Sequence, residues 1–147
     1  MKKWSRPSVP ASIWGLLLCM CTVAAAEQNL AFHAAWVRAM PPGMKMTAAF
    51  GRLHNAGMET IELTAFASPQ FGDVSLHRTQ LVDGVSRMRE VPVLEIAAGE
   101  SITLEPGGYH LMLMMPIGPL ATGQTVTVEM TTPEGASFEF EVPVERR

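Results

Sequence analysis

The chain has 147 residues, with 14 acidic against 11 basic side chains and two cysteines. Lys2, Lys3 and Arg6 precede an apolar run from Ile13 to Val23 and the small residues Ala24, Ala25 and Ala26, the order of an export signal with its A-x-A cleavage site. We therefore expect residues 1–26 to be a cleaved secretory signal peptide and residues 27–147 to form a single domain, whose fourteen acids against eight bases leave a charge of about −6 that suits neither nucleic acid nor anionic lipid.

The apolar run of the signal falls short of the roughly 20 residues a membrane-spanning helix needs, so no membrane span is expected and the destination reads as periplasmic. Cys19 and Cys21 both leave with the signal. Neither follows a small residue, since Leu18 and Met20 precede them, so lipidation is not expected. Without a thiol the exported chain can form no disulfide, no Cys-ligated zinc or iron–sulfur site and no Cys nucleophile. Its sulfur is of another kind: Met40, Met44, Met46, Met58, Met88, Met112, Met114, Met115 and Met130.

Taken in order, turn signals stand at Pro41-Pro42-Gly43, Asn55-Ala56-Gly57, Asp83-Gly84, Ala98-Gly99, Pro106-Gly107-Gly108 and Pro133-Glu134-Gly135. Between them lie short alternating or β-branched segments: Thr60 to Ala67, Val74 to Val82, Val85 to Val91, Ser101 to Leu104, Tyr109 to Met115, Gln124 to Thr131 and Ser137 to Val144. No window sustains a helical period. This spacing predicts an all-β protein, an antiparallel sandwich or Greek-key barrel.

Two of these segments can be read face by face, because successive strand side chains point to opposite sides. Val74, Leu76 and Val82 form an apolar row with Ser75, His77 and Thr79 opposite, and Leu111, Leu113 and Met115 form another with His110, Met112 and Met114 opposite. If the Val and Leu rows face the core, His77 and the His110/Met112 row face outward or into a cleft. Asp83-Gly84 predicts a two-residue type I′ hairpin, which would set His77 opposite Glu90 and diagonal to Met88 on one face.

Two His/Met pairs result, His77 with Met88 and His110 with Met112. Brought together they make a four-coordinate His₂Met₂ site. Thioethers are soft, uncharged donors that favour Cu(I), and a site without thiolate suits a monovalent ion better than Zn²⁺.

The spacing His77-x10-Met88-x21-His110-x-Met112 resembles the H-x10-M-x21-H-x-M pattern of the periplasmic copper chaperones written PCuAC. Ala35-Trp36-Val37-Arg38-Ala39, Gly84-Val85-Ser86-Arg87-Met88-Arg89 and the run Pro106 to Met114 extend the resemblance over roughly residues 33 to 144. It implies a cupredoxin-like β-barrel that binds one Cu(I) ion through His77, Met88, His110 and Met112. Its members carry copper toward the binuclear copper centre of cytochrome c oxidase, so the resemblance implies an acceptor such as oxidase subunit II or a thiol-based assembly protein. The chain departs from the common pattern at Arg78 and at Val85-Ser86. Some relatives hold a second copper site in a His/Met-rich tail, which Glu145-Arg146-Arg147 does not resemble.

The remaining candidates read as structural. His33 and His54 lack a paired thioether and are expected to be hydrogen-bonded surface or core groups. Met114 is expected at a hydrophobic rim. Met40, Met44 and Met46 bracket a loop as mobile filler, with copper capture or partner contact left open. Trp36 fits either the core or the neighbourhood of the site. Arg38, Arg87 and Arg89 read as solvated charges, and Glu59, Glu62, Glu139 and Glu141 as solvated faces.

Copper buffering or resistance with the same site, and a β-sandwich interaction module without metal, are the competing functions. Enzymatic chemistry is not expected: blue copper needs a Cys thiolate, a histidine brace needs an N-terminal histidine, and no G-x-S-x-G serine motif is present.

Overall fold

The computed structural model describes residues 29–147, so the expected signal, with Cys19 and Cys21, lies outside the described residues. Among the described residues eleven strands and no helix build the domain: β1 (Leu30–Arg38), β2 (Met46–Asn55), β3 (Ile61–Leu63), β4 (Ala65–Ala67), β5 (Phe71–Val82), β6 (Val85–Glu90), β7 (Leu94–Ile96), β8 (Ser101–Leu104), β9 (Tyr109–Pro116), β10 (Thr125–Thr131) and β11 (Ser137–Glu145). The order β4-β10-β11-β1-β2, continued by the β2–β9, β9–β5 and β5–β4 pairings, closes a barrel. β8 inserts between β2 and β9, β6 hangs outside on β5, and β3 pairs with β7 in a separate ribbon. No described helix is long and apolar enough to cross a membrane.

The all-β, cupredoxin-like expectation holds, with a refinement. The β1–β11 and β8–β9 pairings are parallel, so the barrel is mixed rather than wholly antiparallel. Thr60 to Ala67 is not one strand either. The chain steps from one sheet to the other at Thr64, whose N–H donates to Thr131 O at 3.0 Å.

Alternation puts Val74 and Leu76 of β5, Leu111 and Leu113 of β9, Ala49 of β2 and Val37 of β1 inside the barrel, all buried. Each fully buried Leu contributes about 2 kcal/mol of apolar transfer energy. Both apolar rows stop short of the sequence expectation. Val82 has left the core with the protruding hairpin, and Met115 is 58% exposed at φ 54°, where the strand turns away and its N–H donates to Lys45 O. The hairpin matches: Asp83 and Gly84 have φ 52° and 76°, the two positive values of a type I′ turn, and the pairing runs from Val82 opposite Val85 to His77 opposite Glu90.

A bulge in β1 between His33 and Trp36, with Ala34 at φ 48°, shifts the register by one residue and places Trp36 opposite Phe50. Gly51 lies beneath it at φ 148°, where a Cβ would fall 2.7 Å from Phe32 Cε2 and 2.9 Å from Ala35 Cα. The Phe32 ring can rotate aside, but Ala35 Cα is backbone and cannot yield without moving the bulge. Gly51→Ala is therefore expected to destabilise the domain by about 1–3 kcal/mol, read as a lowered thermal midpoint. An unchanged midpoint would show that the bulge adapts freely.

Candidate metal centre

The outer face of the barrel wall carries the chemistry, because the Leu and Val rows of β5 and β9 claim the inner one. His77 and His110 sit directly opposite on these two strands, and the next pair along is Ser75 with Met112. Met88, on β6, lies opposite Thr79 and so shares that face. All four predicted ligand residues thus stand on one side of three adjacent strands. The imidazoles stack with ring centroids 6.0 Å apart and planes 22° from parallel. Met88, His110 and Met112 line one cavity of about 330 Å³, which His77 flanks through the stack.

Of the two placements the sequence left open, outward or into a cleft, His110 takes the second. It is only 6% exposed, because the Met40–Met44 loop, Phe50 and Pro106-Gly107 close over this part of the face. Met88 remains half exposed at the far edge. The centre thus has one deep histidine and one accessible thioether.

A second-layer bond sets the tautomer of His110. Its Nδ1 lies 3.2 Å from Gly108 O, and a carbonyl can only accept, so Nδ1 carries the proton and Nε2 keeps a free lone pair. The same carbonyl accepts from Thr79 N–H at 3.0 Å and ties the ring to the start of the hairpin. His77 Nδ1 meets Ser75 Oγ at a looser 3.5 Å.

Behind His110, Phe50 packs at 6.4 Å between centroids and Trp36 stacks on Phe50 at 4.7 Å, which places Trp36 in the wall behind the site. Arg38 lies over Phe50, its guanidinium carbon 5.2 Å from the ring centroid. It is the one permanently charged side chain lining the cavity, and it stays exposed to solvent as the sequence suggested. The sequence offered a signal for it. Trp36 and Arg38 are two residues apart and hence share a face, but only the bulge shows that this face meets Phe50.

The other histidines stay outside this centre. His54 Nδ1 bonds Ser101 Oγ at 3.0 Å, and His33 lies beside it with ring centroids 6.3 Å apart. Met114 faces Asp73 and Met46 across neighbouring strands, at the rim.

Among the described residues no cluster of three or more His, Cys, Asp or Glu side chains could hold a metal ion. The soft donors beside the two imidazoles on this face are the thioethers of Met88 and Met112. Two neutral imidazoles and two thioethers supply no negative charge, and Arg38 adds a positive one, so a soft monovalent cation fits the donor set better than Zn²⁺.

Burial pushes the His110 pKa below the ordinary 6.5, and the charges of His77 and Arg38 push the same way, while the Gly108 hydrogen bond opposes them. The unfolded chain then binds more protons at this residue than the native one, so native stability falls as pH drops below 6.5. Two-dimensional NMR of the imidazole is expected to place the His110 midpoint under 6.5; a midpoint at or above it would contradict the burial found here.

The family model described as "Putative lipoprotein LpqE-like" matches residues 30–144. The chain is 34% identical over 145 residues to "Putative lipoprotein Lxx21020" of Leifsonia xyli subsp. xyli, covering 93% of this chain and 86% of the relative. It resembles the solution structure of CuI-DR1885 from Deinococcus radiodurans, with a TM-score of 0.64 and 32% identity over 84% of each chain. The copper-bound PCuAC domain from PmoF2 superposes with a TM-score of 0.66 over 81% of this chain and 94% of that domain; at 16% identity it speaks to the fold alone.

Proposed function

The chain belongs to the LpqE-like family, of the PCuAC type, and from that premise we propose that it is an exported, non-enzymatic Cu(I) carrier with one ion held by His77, Met88, His110 and Met112. The observation that carries this reading is the convergence of two stacked imidazoles and two thioethers on one face, at a cavity without thiolate or carboxylate. The CuI-bound state of the Deinococcus radiodurans relative supports it.

The mechanism is ligand exchange. All four donors are neutral, so each can be replaced singly by a ligand of an acceptor without leaving a buried unpaired charge. Met88, half exposed, is the donor an incoming ligand meets first. The His110 tautomer, fixed by Gly108, presents Nε2 without a proton to displace.

The acceptor we propose is the binuclear copper centre of cytochrome c oxidase, reached directly at subunit II or through a thiol-based assembly protein, in the periplasm. The lipoprotein names of the family and the Leifsonia relative support export. The mass of the exported protein tests its route: cleavage after Ala26 leaves Glu27 first, whereas an acylated Cys19 or Cys21 would overturn the signal-peptide reading.

An anaerobic Cu(I) titration of the exported protein against a colorimetric chelator is expected to show one tight equivalent, lost in both His77→Ala and Met112→Ala. Binding that survives both variants would overturn the ligand set. Loss of the gene is expected to lower oxidase activity, with recovery in excess copper; an effect on copper tolerance alone would favour buffering.

A further inference from the structure

We propose that Met40, Met44 and Met46 form a second, weaker Cu(I) site, a landing site on the wall of the His/Met cavity through which the ion enters. The proposal rests on the copper reading above and deepens it by naming where the cargo first binds.

The loop is built to bring these three side chains together. Met44 N–H donates to Pro41 O at 3.3 Å, closing a turn with Pro42 and then Gly43, at φ 86°, in its centre. Proline followed by a glycine of positive φ is the pattern of a type II turn, which brings Pro41 and Met44 together, and Met40 and Met44 on its two flanks line the same cavity. The far end is pinned twice: Lys45 O accepts from Met115 N–H at 2.9 Å, and Thr47 Oγ1 donates to Arg38 O at 2.6 Å. Met46, the first residue of β2, pairs with Met114 and so projects on the outer face that carries Met112.

All three thioethers line the 330 Å³ cavity together with Met88, His110 and Met112. Met40 and Met44 also line a larger neighbouring cleft of about 920 Å³ that opens toward Leu120 and Arg146. The loop is thus the partition between an outer cleft and the inner cavity, with thioethers on both of its sides.

Burial of apolar area does not account for Met44 and Met46. Met44 is 52% exposed and Met46 49% exposed, where packing gains little. Three uncharged thioethers, two on the β1–β2 loop and one at the start of β2, are a Cu(I) donor set without imidazole, softer in character and more exchangeable than the four-donor centre beside it.

The test is a titration of the exported protein with Cu(I), anaerobically, and with redox-inert Ag(I), following the ¹³C-labelled methionine ε-methyl resonances. The first equivalent is expected to move Met88 and Met112, and a second, weaker one to move Met40, Met44 and Met46. The triple variant Met40→Leu, Met44→Leu, Met46→Leu conserves volume, and in it the second equivalent weakens by about tenfold or more and by more than the first. In Met112→Ala the first equivalent is lost and the loop resonances still respond. The proposal is overturned if the wild-type protein saturates at one equivalent, or if the triple variant binds the second ion as tightly. Failure of the carrier reading looks different: the response of Met88 and Met112 is missing while the loop response persists. Thermal unfolding confirms that each variant is folded.

Discussion

The pairing of β5 with β9 is the constraint on which the rest of the structure depends. Leu76 opposite Leu111 and Val74 opposite Leu113 fill the barrel interior, and the strict alternation of a strand then forces His77 opposite His110 on the outside. A slip of β5 by one residue would turn His77 inward and push Val74 and Leu76 out, so the apolar core holds the register of the polar face. The type I′ turn at Asp83-Gly84 extends this control to β6 and fixes where Met88 falls.

Charge decides what such a face can hold. The described domain is acidic overall, yet the cavity beside the imidazoles contains no acid and one arginine, held over Phe50. A divalent ion there would face Arg38 without an anionic ligand to offset it, whereas a single positive charge shared among polarizable sulfur atoms suffers less. Phe50 and Trp36 make the wall behind His110 apolar and keep water from its buried side, which is the main cause of its lowered proton affinity.

Much of this was legible in the sequence because it is local or periodic. The hairpin register follows from two residues of turn chemistry, the row of His110 and Met112 from alternation, and the strands from turn spacing. Other features depend on contacts distant in sequence. The covering of His110 needs the β1–β2 loop, some seventy residues earlier in the chain, and the role of Arg38 needs a bulge that Ala34 and Gly51 make together. Met115 broke the expected row because alternation says nothing of where a strand bends away. The break at Thr64, within a run that reads as one continuous strand, is likewise set by a tertiary hydrogen bond to Thr131.

β6 has a single neighbour, β5, and each of its residues from Val85 to Glu90 is exposed. Strands with one partner and no packed face fray at far lower free energy than the strands of a closed wall. Met88 therefore rides on an outrigger while its three companions are anchored in the hull. In the proposed centre the grip on the ion loosens in a set order, sulfur on the outrigger first and the deep imidazole last, and direction of hand-over is written into the architecture rather than into any moving lid.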